Sequence, residues 1–339
     1  MGRNSNKHNF QIAPVEDYKK WDGLVDRSSE GSIYSKSSYI QALNRNYKLL
    51  FVTKGNSIKA GIFLLIDTDK QNCEWDDLVV YNGILFEKPH LKQNYTKMLS
   101  DQFDITTYVI PKLSEMYSSI KITTSPFFKD MRPFLWYNYS EDEQLKCQLN
   151  LRYTTHVNIK GCLDNIEDEK ICLFKELGSS RRQEVRYARR DKVCAIESTD
   201  VHSLAHCYEM SMKKKNVILP SIYYERIGIL TAKLIKHDIG RLFVVKNSHN
   251  EIESAAFFAW DNKRAYYLFG ASNPLVRKSY SGTIVLWDAF KYLHQIGINE
   301  VNMEGVNNPY HGWFKLGMGG ITLDAYYQVT WKGSQLNSK

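Results

Sequence analysis

No apolar run in this 339-residue chain approaches the roughly 18 residues needed to cross a bilayer. The opening stretch, MGRNSNKHNFQIAPVED, has no apolar h-region, so neither membrane insertion nor secretion is expected. N-myristoylation is not expected either, because it requires Ser or Thr at position six, where Asn6 stands. Cys73, Cys147, Cys162, Cys172, Cys194 and Cys207 form no C-x-x-C pair and have no histidine at a ligand spacing, which predicts ordinary thiols, no metal and a cytoplasmic setting. A strong charge bias is also missing. Lys plus Arg exceed Asp plus Glu by 45 − 37 = 8, too mild for a dedicated DNA binder but favourable to phosphate-bearing ligands. There is no long low-complexity tract, and 43% hydrophobic and 13% aromatic residues are enough to bury two cores, in line with two domains of ordinary size.

Periodicity predicts short helices over Tyr18 to Asp26 and Ser37 to Asn44, then strands over Lys48 to Lys54, Ile58 to Asp67 and Leu78 to Phe86. A long helix, Lys92 to Tyr117, is expected to break near Pro111, and Ser119 to Thr124 reads as a strand. An extended bridge follows at Leu145 to Lys160. Beyond it the order begins again, with helices at Ile166 to Gly178, Ser180 to Asp191, Val201 to Asn216 and Ile222 to His237. Strands are expected at Arg241 to Asn247, Ile252 to Asp261 and Ala265 to Ala271, then a helix Thr283 to Ile296, a strand Glu300 to Glu304 and a strand pair between Ile321 and Trp331. The repeat is visible in residues too. LLFVTK followed by IKAGIFLLID stands beside RLFVVK followed by IESAAFFAWD, the mark of a duplicated unit. The division expected is 1–150 and 151–339, with an α/β fold whose sheets are mixed in the α+β manner.

The chain is organised around Arg264 to Gly320, where a strand runs into a basic Ser/Gly-rich loop and then a helix. Arg277, Lys278, Ser279, Ser281, Gly282 and Thr283 fall where the first helical N–H groups lack partners, a natural anion site.

Trp21 with SIYSKSSYIQAL, the strand AGIFLLID, the turn YNGILF, the segment DMRPFLWYNYS, the helix SSRRQEVRYARR and the stretch GWFKLGMGG occur in an order that resembles the FemAB-like branch of the GNAT acyltransferase superfamily. The resemblance covers about residues 15 to 332 and implies two tandem GNAT-like domains and transfer of an acyl or aminoacyl group to an amine. The co-substrates it implies are acyl-CoA, acyl carrier protein or aminoacyl-tRNA, and the acceptors small molecules, sugars or cell-envelope precursors. The pyrophosphate loop departs from the simpler acetyltransferases, since Arg277 to Gly282 keeps a cation and a single glycine, and the long coiled-coil arm of some peptidoglycan-bridge enzymes is missing.

Acyl transfer needs a neutral amine, a proton acceptor and donors for the developing oxyanion. Backbone N–H groups of Leu268 to Ala271, with Phe269 and Gly270 between, are the expected oxyanion donors. Glu304, at the end of a core strand, is the expected base. Lys315 matches the lysine of the family's F-K motif and is expected to neutralise donor charge. Tyr310 and His311 flank it as acid or hydrogen-bond donor. Arg182, Arg186 and Arg189 form a helical stripe suited to phosphates, with Arg190 adjacent, while Asp130, Arg132 and Trp136 are expected to line the acceptor site. The alternative is a non-catalytic GNAT-like protein that binds an anionic ligand.

Overall fold

The structure, a computed structural model, describes residues 9–333, so the reading at Asn6 lies outside the described residues. It begins with β1 (Phe10–Pro14), α1 (Tyr18–Arg27) and α2 (Ser37–Ala42). Asp17 caps α1 by accepting from the amides of Lys19 and Lys20. Next come β2 (Tyr47–Lys54) and β3 (Ser57–Leu65), joined by Gly55-Asn56, where Gly55 has φ +57° as the first central residue of a two-residue hairpin loop. β4 (Gly83–Phe86) completes an antiparallel sheet in the order β1-β2-β3-β4. It is shorter than the expected Leu78 to Phe86, because Asp76 binds the amides of Leu78 and Val79 through its side chain and carbonyl and curls that segment.

α3 (Tyr95–Met116) runs straight through Pro111, where a break was expected. Ile105, Val109 and Ile110 before the proline and Leu113 after it are buried in one core, so packing holds both halves in register. β5 (Ser119–Thr123) and α4 (Arg132–Trp136) follow.

β6 (Gln148–Asn158) carries the chain across Arg152/Tyr153, where a second unit starts. The helix expected over Ile166 to Gly178 is a 3-10 turn at Asp168–Lys170 and a short α5 (Cys172–Glu176). Asp168 is drawn to Arg189, Lys291 and the Trp287 indole instead of continuing a helix. Then come α6 (Ser179–Arg190), β7 (Ile196–Ser198), α7 (Val201–Lys214), α8 (Ser221–Lys236), β8 (Gly240–Lys246), β9 (Ile252–Trp260), β10 (Ala265–Ser272), α9 (Ser281–Gln295), β11 (Glu300–Gly305) and α10 (Pro309–Leu316). Within this unit the strands run β6-β11-β10-β9-β8-β7, antiparallel except for β10 and β11, which are parallel. α9 buries Ile284, Trp287, Phe290 and Leu293 against Phe243, Phe258 and Val301.

One strand, β12 (Asp324–Lys332), replaces the expected final pair. From Ala325 the chain belongs to the first unit, not to the second as the 151–339 division had it. Val329 pairs with Ile122 of β5, and the Trp331 indole donates to Ser114 Oγ at 3.0 Å. The architecture is thus mixed α/β, two units each with a sheet and flanking helices. Among the described residues no helix is long and apolar enough to cross a membrane, and the six cysteines are unbridged.

Candidate functional site

β10 and β11 pair only at Ala265 with Val301 and Tyr266 with Asn302, and then separate. A register shift interrupts β10 against β9 between Tyr267 and Phe269, and another interrupts β11 against β6 between Asn302 and Gly305. Two parallel neighbours that part at their carboxyl ends leave a fissure, the place where open α/β sheets receive ligands.

Glu304 stands on one wall with φ +58°, a left-handed conformation uncommon for a residue with a Cβ. Its amide donates to Asn302 Oδ1 at 2.6 Å, and the same oxygen accepts from Thr154 Oγ1 at 3.1 Å. Asn302 Nδ2 lies 3.1 Å from His156 Nε2, and His156 Nδ1 lies 2.9 Å from Asp324 Oδ2. A chain from the half-buried Asp324 through the buried His156 and Asn302 therefore supports the kink that carries Glu304. Burial pushes the His156 imidazole down, against the pull of Glu300 and Asp324.

Lys315 enters the fissure from α10. Its Nζ donates to Gly305 O at 3.1 Å and lies 5.5 Å from the centre of the Tyr267 ring. Burial lowers the Lys315 pKa, while the Glu304 carboxylate opposes that shift. Burial, helped by Tyr208 and Glu304, raises the Tyr267 phenol, which keeps it a hydrogen-bond donor at neutral pH. The Tyr267 hydroxyl occupies space that only glycine leaves at position 270, since a Cβ there would lie 1.5 Å from it. Leu268 falls at the register shift, between Tyr267 and Phe269, and so has no opposite residue on β9.

His311, one turn before Lys315, has Nε2 2.8 Å from Lys215 Nζ at the end of α7. Burial and the charges of Lys215 and Lys315 push the imidazole down, and burial and Arg277 push Lys215 down. Tyr310 lies on the same helix, with its side chain outside what is described.

The basic loop is arranged differently from the sequence expectation. Arg277, Lys278 and Ser279 are exposed and Gly282 is half-buried, but Ser281 and Thr283 are fully buried. Ser281 Oγ donates to Glu253 Oε2, and the Lys278 amide approaches the same oxygen at 3.4 Å. Thr283 Oγ1 donates to Glu184 Oε2 and accepts from Arg181, which also pairs with Glu184 at 3.0 Å. These hydroxyls, expected to meet a phosphate, meet two carboxylates of the chain itself.

The arginine stripe on α6 is also engaged internally. Arg182 caps carbonyls of Lys175 and Leu177, Arg186 pairs with Glu169 at 2.7 Å, and Arg189 joins Asp168 and Asp288. Arg190 pairs with Asp191 at 2.9 Å. In the first unit, Arg132 grips Asp130 through two nitrogens, at 2.8 and 2.6 Å, and stacks over Trp136 and Phe103. Those three predicted acceptor residues therefore form a cluster of their own, with Arg132 holding the Asp130 carboxyl below its usual range. A cavity of about 590 Å³ in the second unit is lined by Asp168, Arg189, Asp288 and Lys291, and neither Glu304 nor Lys315 reaches it.

Glu304, Lys315 and His311 were legible as candidates. Tyr267, Asn302, His156, Lys215 and Glu253 were missed, because each is placed by strand register or by a contact distant in sequence. The glycine in YYLFG, three residues after Tyr267, was the available signal for that tyrosine.

No protein-family model and no curated protein matches the sequence. Solved structures do. FemX superposes with TM-score 0.62 at 13% identity, covering 94% of this chain and 96% of that one. The C-terminal domain (DUF2156) of a putative lysylphosphatidylglycerol synthetase from Agrobacterium fabrum gives 0.54 at 11%, covering 94% and 93%. A tandem GNAT protein from the clavulanic acid biosynthesis pathway gives 0.53 at 9%, covering 95% and 98%. Mixed sheets in two units, a parallel pair that splays, and likeness along nearly the whole chain identify the fold as the FemAB-like, tandem GNAT fold.

Proposed function

We propose that the protein is an acyltransferase that moves an acyl or aminoacyl group from an activated, phosphate-bearing donor to an amine of a small molecule, a sugar or a cell-envelope precursor. The observation that carries this reading is the meeting of Lys315, Glu304 and Tyr267 at the fissure between β10 and β11. The fold is one that FemX, a putative lysylphosphatidylglycerol synthetase and a tandem GNAT protein share.

In this mechanism the donor carbonyl enters the fissure beside Tyr267 and the amine approaches from the Glu304 side. The amine nitrogen attacks the carbonyl carbon and a C–N bond forms. Negative charge gathers on the carbonyl oxygen, where the Tyr267 hydroxyl and backbone N–H groups of Leu268 to Ala271 donate to it. Glu304 takes the proton lost by the amine. The bond from carbon to the leaving oxygen or sulfur then breaks, and the Lys315 ammonium donates the proton that the leaving group needs. Its lowered pKa makes it a better acid than an ordinary lysine. Asn302 and His156 act by position, holding the backbone that aims Glu304.

The test is to incubate the protein with acetyl-CoA, longer acyl-CoAs, acylated carrier protein and charged tRNA, and to read candidate amines by mass spectrometry. Transfer from one donor class, lost in Lys315→Met, supports the reading. No transfer from any of them favours the second reading, a non-catalytic binder of an anionic ligand. That reading draws on the two cations Lys215 and Arg277, with His311 beside Lys215.

A further inference from the structure

The start of α9 is where the sequence places an anion, and in the structure an anion is already there. Glu253, near the beginning of β9, is only 2% exposed, and its carboxylate lies against the first turn of the helix. Ser281 Oγ donates to it, and the amide of Lys278 points toward it at 3.4 Å while also reaching Ser281 Oγ at 3.1 Å. Glu253 is held in place from the backbone side, since its carbonyl accepts from the Asn273 amide at 2.9 Å. One residue on, Ser254 Oγ bonds Ala271 O at 3.0 Å and Ser272 Oγ at 2.9 Å, which ties β9 to the end of β10. A second carboxylate, Glu184 from α6, takes Thr283 Oγ1, with Arg181 neutralising it.

A carboxylate at a helix N-terminus satisfies the same donors and the same dipole as a phosphate. Here two of them flank residues 281–283, and one is almost wholly removed from water, where its charge is screened least. A diphosphate brought to this turn would lose Ser281 as a donor and face like charge.

We infer that Glu253 determines which donor this site accepts: its carboxylate occupies the start of α9 and excludes the diphosphate of a CoA-type donor. The inference rests on the acyl-transfer reading for the donor's identity, and it narrows that donor to one that brings no diphosphate to this turn, such as a carrier-protein thioester or an aminoacyl ester. Arg277 and Lys278 remain exposed for a different anionic group.

The experiment is hydrogen–deuterium exchange of the full chain with and without CoA, read at the amides of 278–283, in wild type, Glu253→Gln and Glu184→Gln. Gln at 253 keeps an acceptor for Ser281 and removes the charge, while Glu184 is half-buried and its replacement leaves the β9 core intact. The expected result is no CoA-dependent protection in wild type and protection in Glu253→Gln, with CoA affinity raised by about tenfold or more. Protection of 278–283 by CoA in wild type overturns the inference, and so does its absence in Glu253→Gln, whether or not Glu184→Gln shows it. Neither readout uses an acceptor amine or turnover, so a failure of the acyl-transfer reading leaves the result interpretable.

Discussion

Adding a single methyl group at position 270 tests whether Tyr267 is held where the mechanism needs it. The backbone of Gly270 lies outside the left-handed region, so Gly270→Ala introduces no forced dihedral, only contact. The new Cβ would stand 1.5 Å from Tyr267 Oη, 2.4 Å from Cζ and 3.0 Å from Cε2, so the ring has to leave. Leaving breaks its stack on Phe258, where the centroids are 5.3 Å apart and the planes 29° from parallel, and withdraws the face over which Lys315 sits. Overpacking of this kind costs about 1–3 kcal/mol, and a lost aromatic pair about 0.5–1.5 more. The expected loss is therefore about 2–4 kcal/mol in urea unfolding, together with a fall in transfer rate. Tyr267→Phe in the same chain removes the 1.5 Å contact but not the 2.4 Å one, so it restores part of the stability, and the double-mutant cycle has a coupling of at least about 0.5 kcal/mol. A Gly270→Ala protein within about 0.5 kcal/mol of wild type, with its rate intact, refutes this geometry.

Other tests address the charges. Because Glu304 is the influence that raises Lys315, Glu304→Gln lets the lysine pKa fall further, and the alkaline limb of the residual pH–rate profile moves to lower pH; an unmoved limb contradicts the pairing. Glu30 in the first unit is buried and its pKa is raised by burial, so the stability held by its protonated form is complete below the ordinary glutamate value of about 4.3 and lost as pH rises through the raised folded value. Thermal midpoints should accordingly rise for Glu30→Gln relative to wild type as pH increases, and a gap that shrinks counts against it. Asp288 accepts from Arg189 and from the Ala195 amide at 2.8 Å, so Asp288→Ala should destabilise by about 1–3 kcal/mol in chemical denaturation without changing the profile of the transfer reaction, and an unaltered stability would show that Asp168 alone suffices for Arg189.

The two-unit α/β plan was legible because periodicity and a residue-level repeat both report burial, which the hairpins of LLFVTK and RLFVVK obey directly. What escaped was set at a distance. Pro111 was read by its local cost, yet core packing on both sides overrode it. Trp331 was read as part of a second-unit strand pair, yet it bonds Ser114, more than two hundred residues earlier. At the site, Glu304 was visible from its place at the end of a strand. The occupation of Ser281 by Glu253 was not, because a Ser/Gly-rich basic loop reads alike whether its anion arrives as a ligand or comes from the neighbouring strand.

The most direct measurement is the single-turnover rate of acyl or aminoacyl transfer, with whichever donor proves active, in wild type and Lys315→Met. The account predicts that the chemical step slows by about 10²–10⁴-fold when the proton-donating group is removed from the fissure. A chemical step that proceeds at the wild-type rate without Lys315 would contradict it.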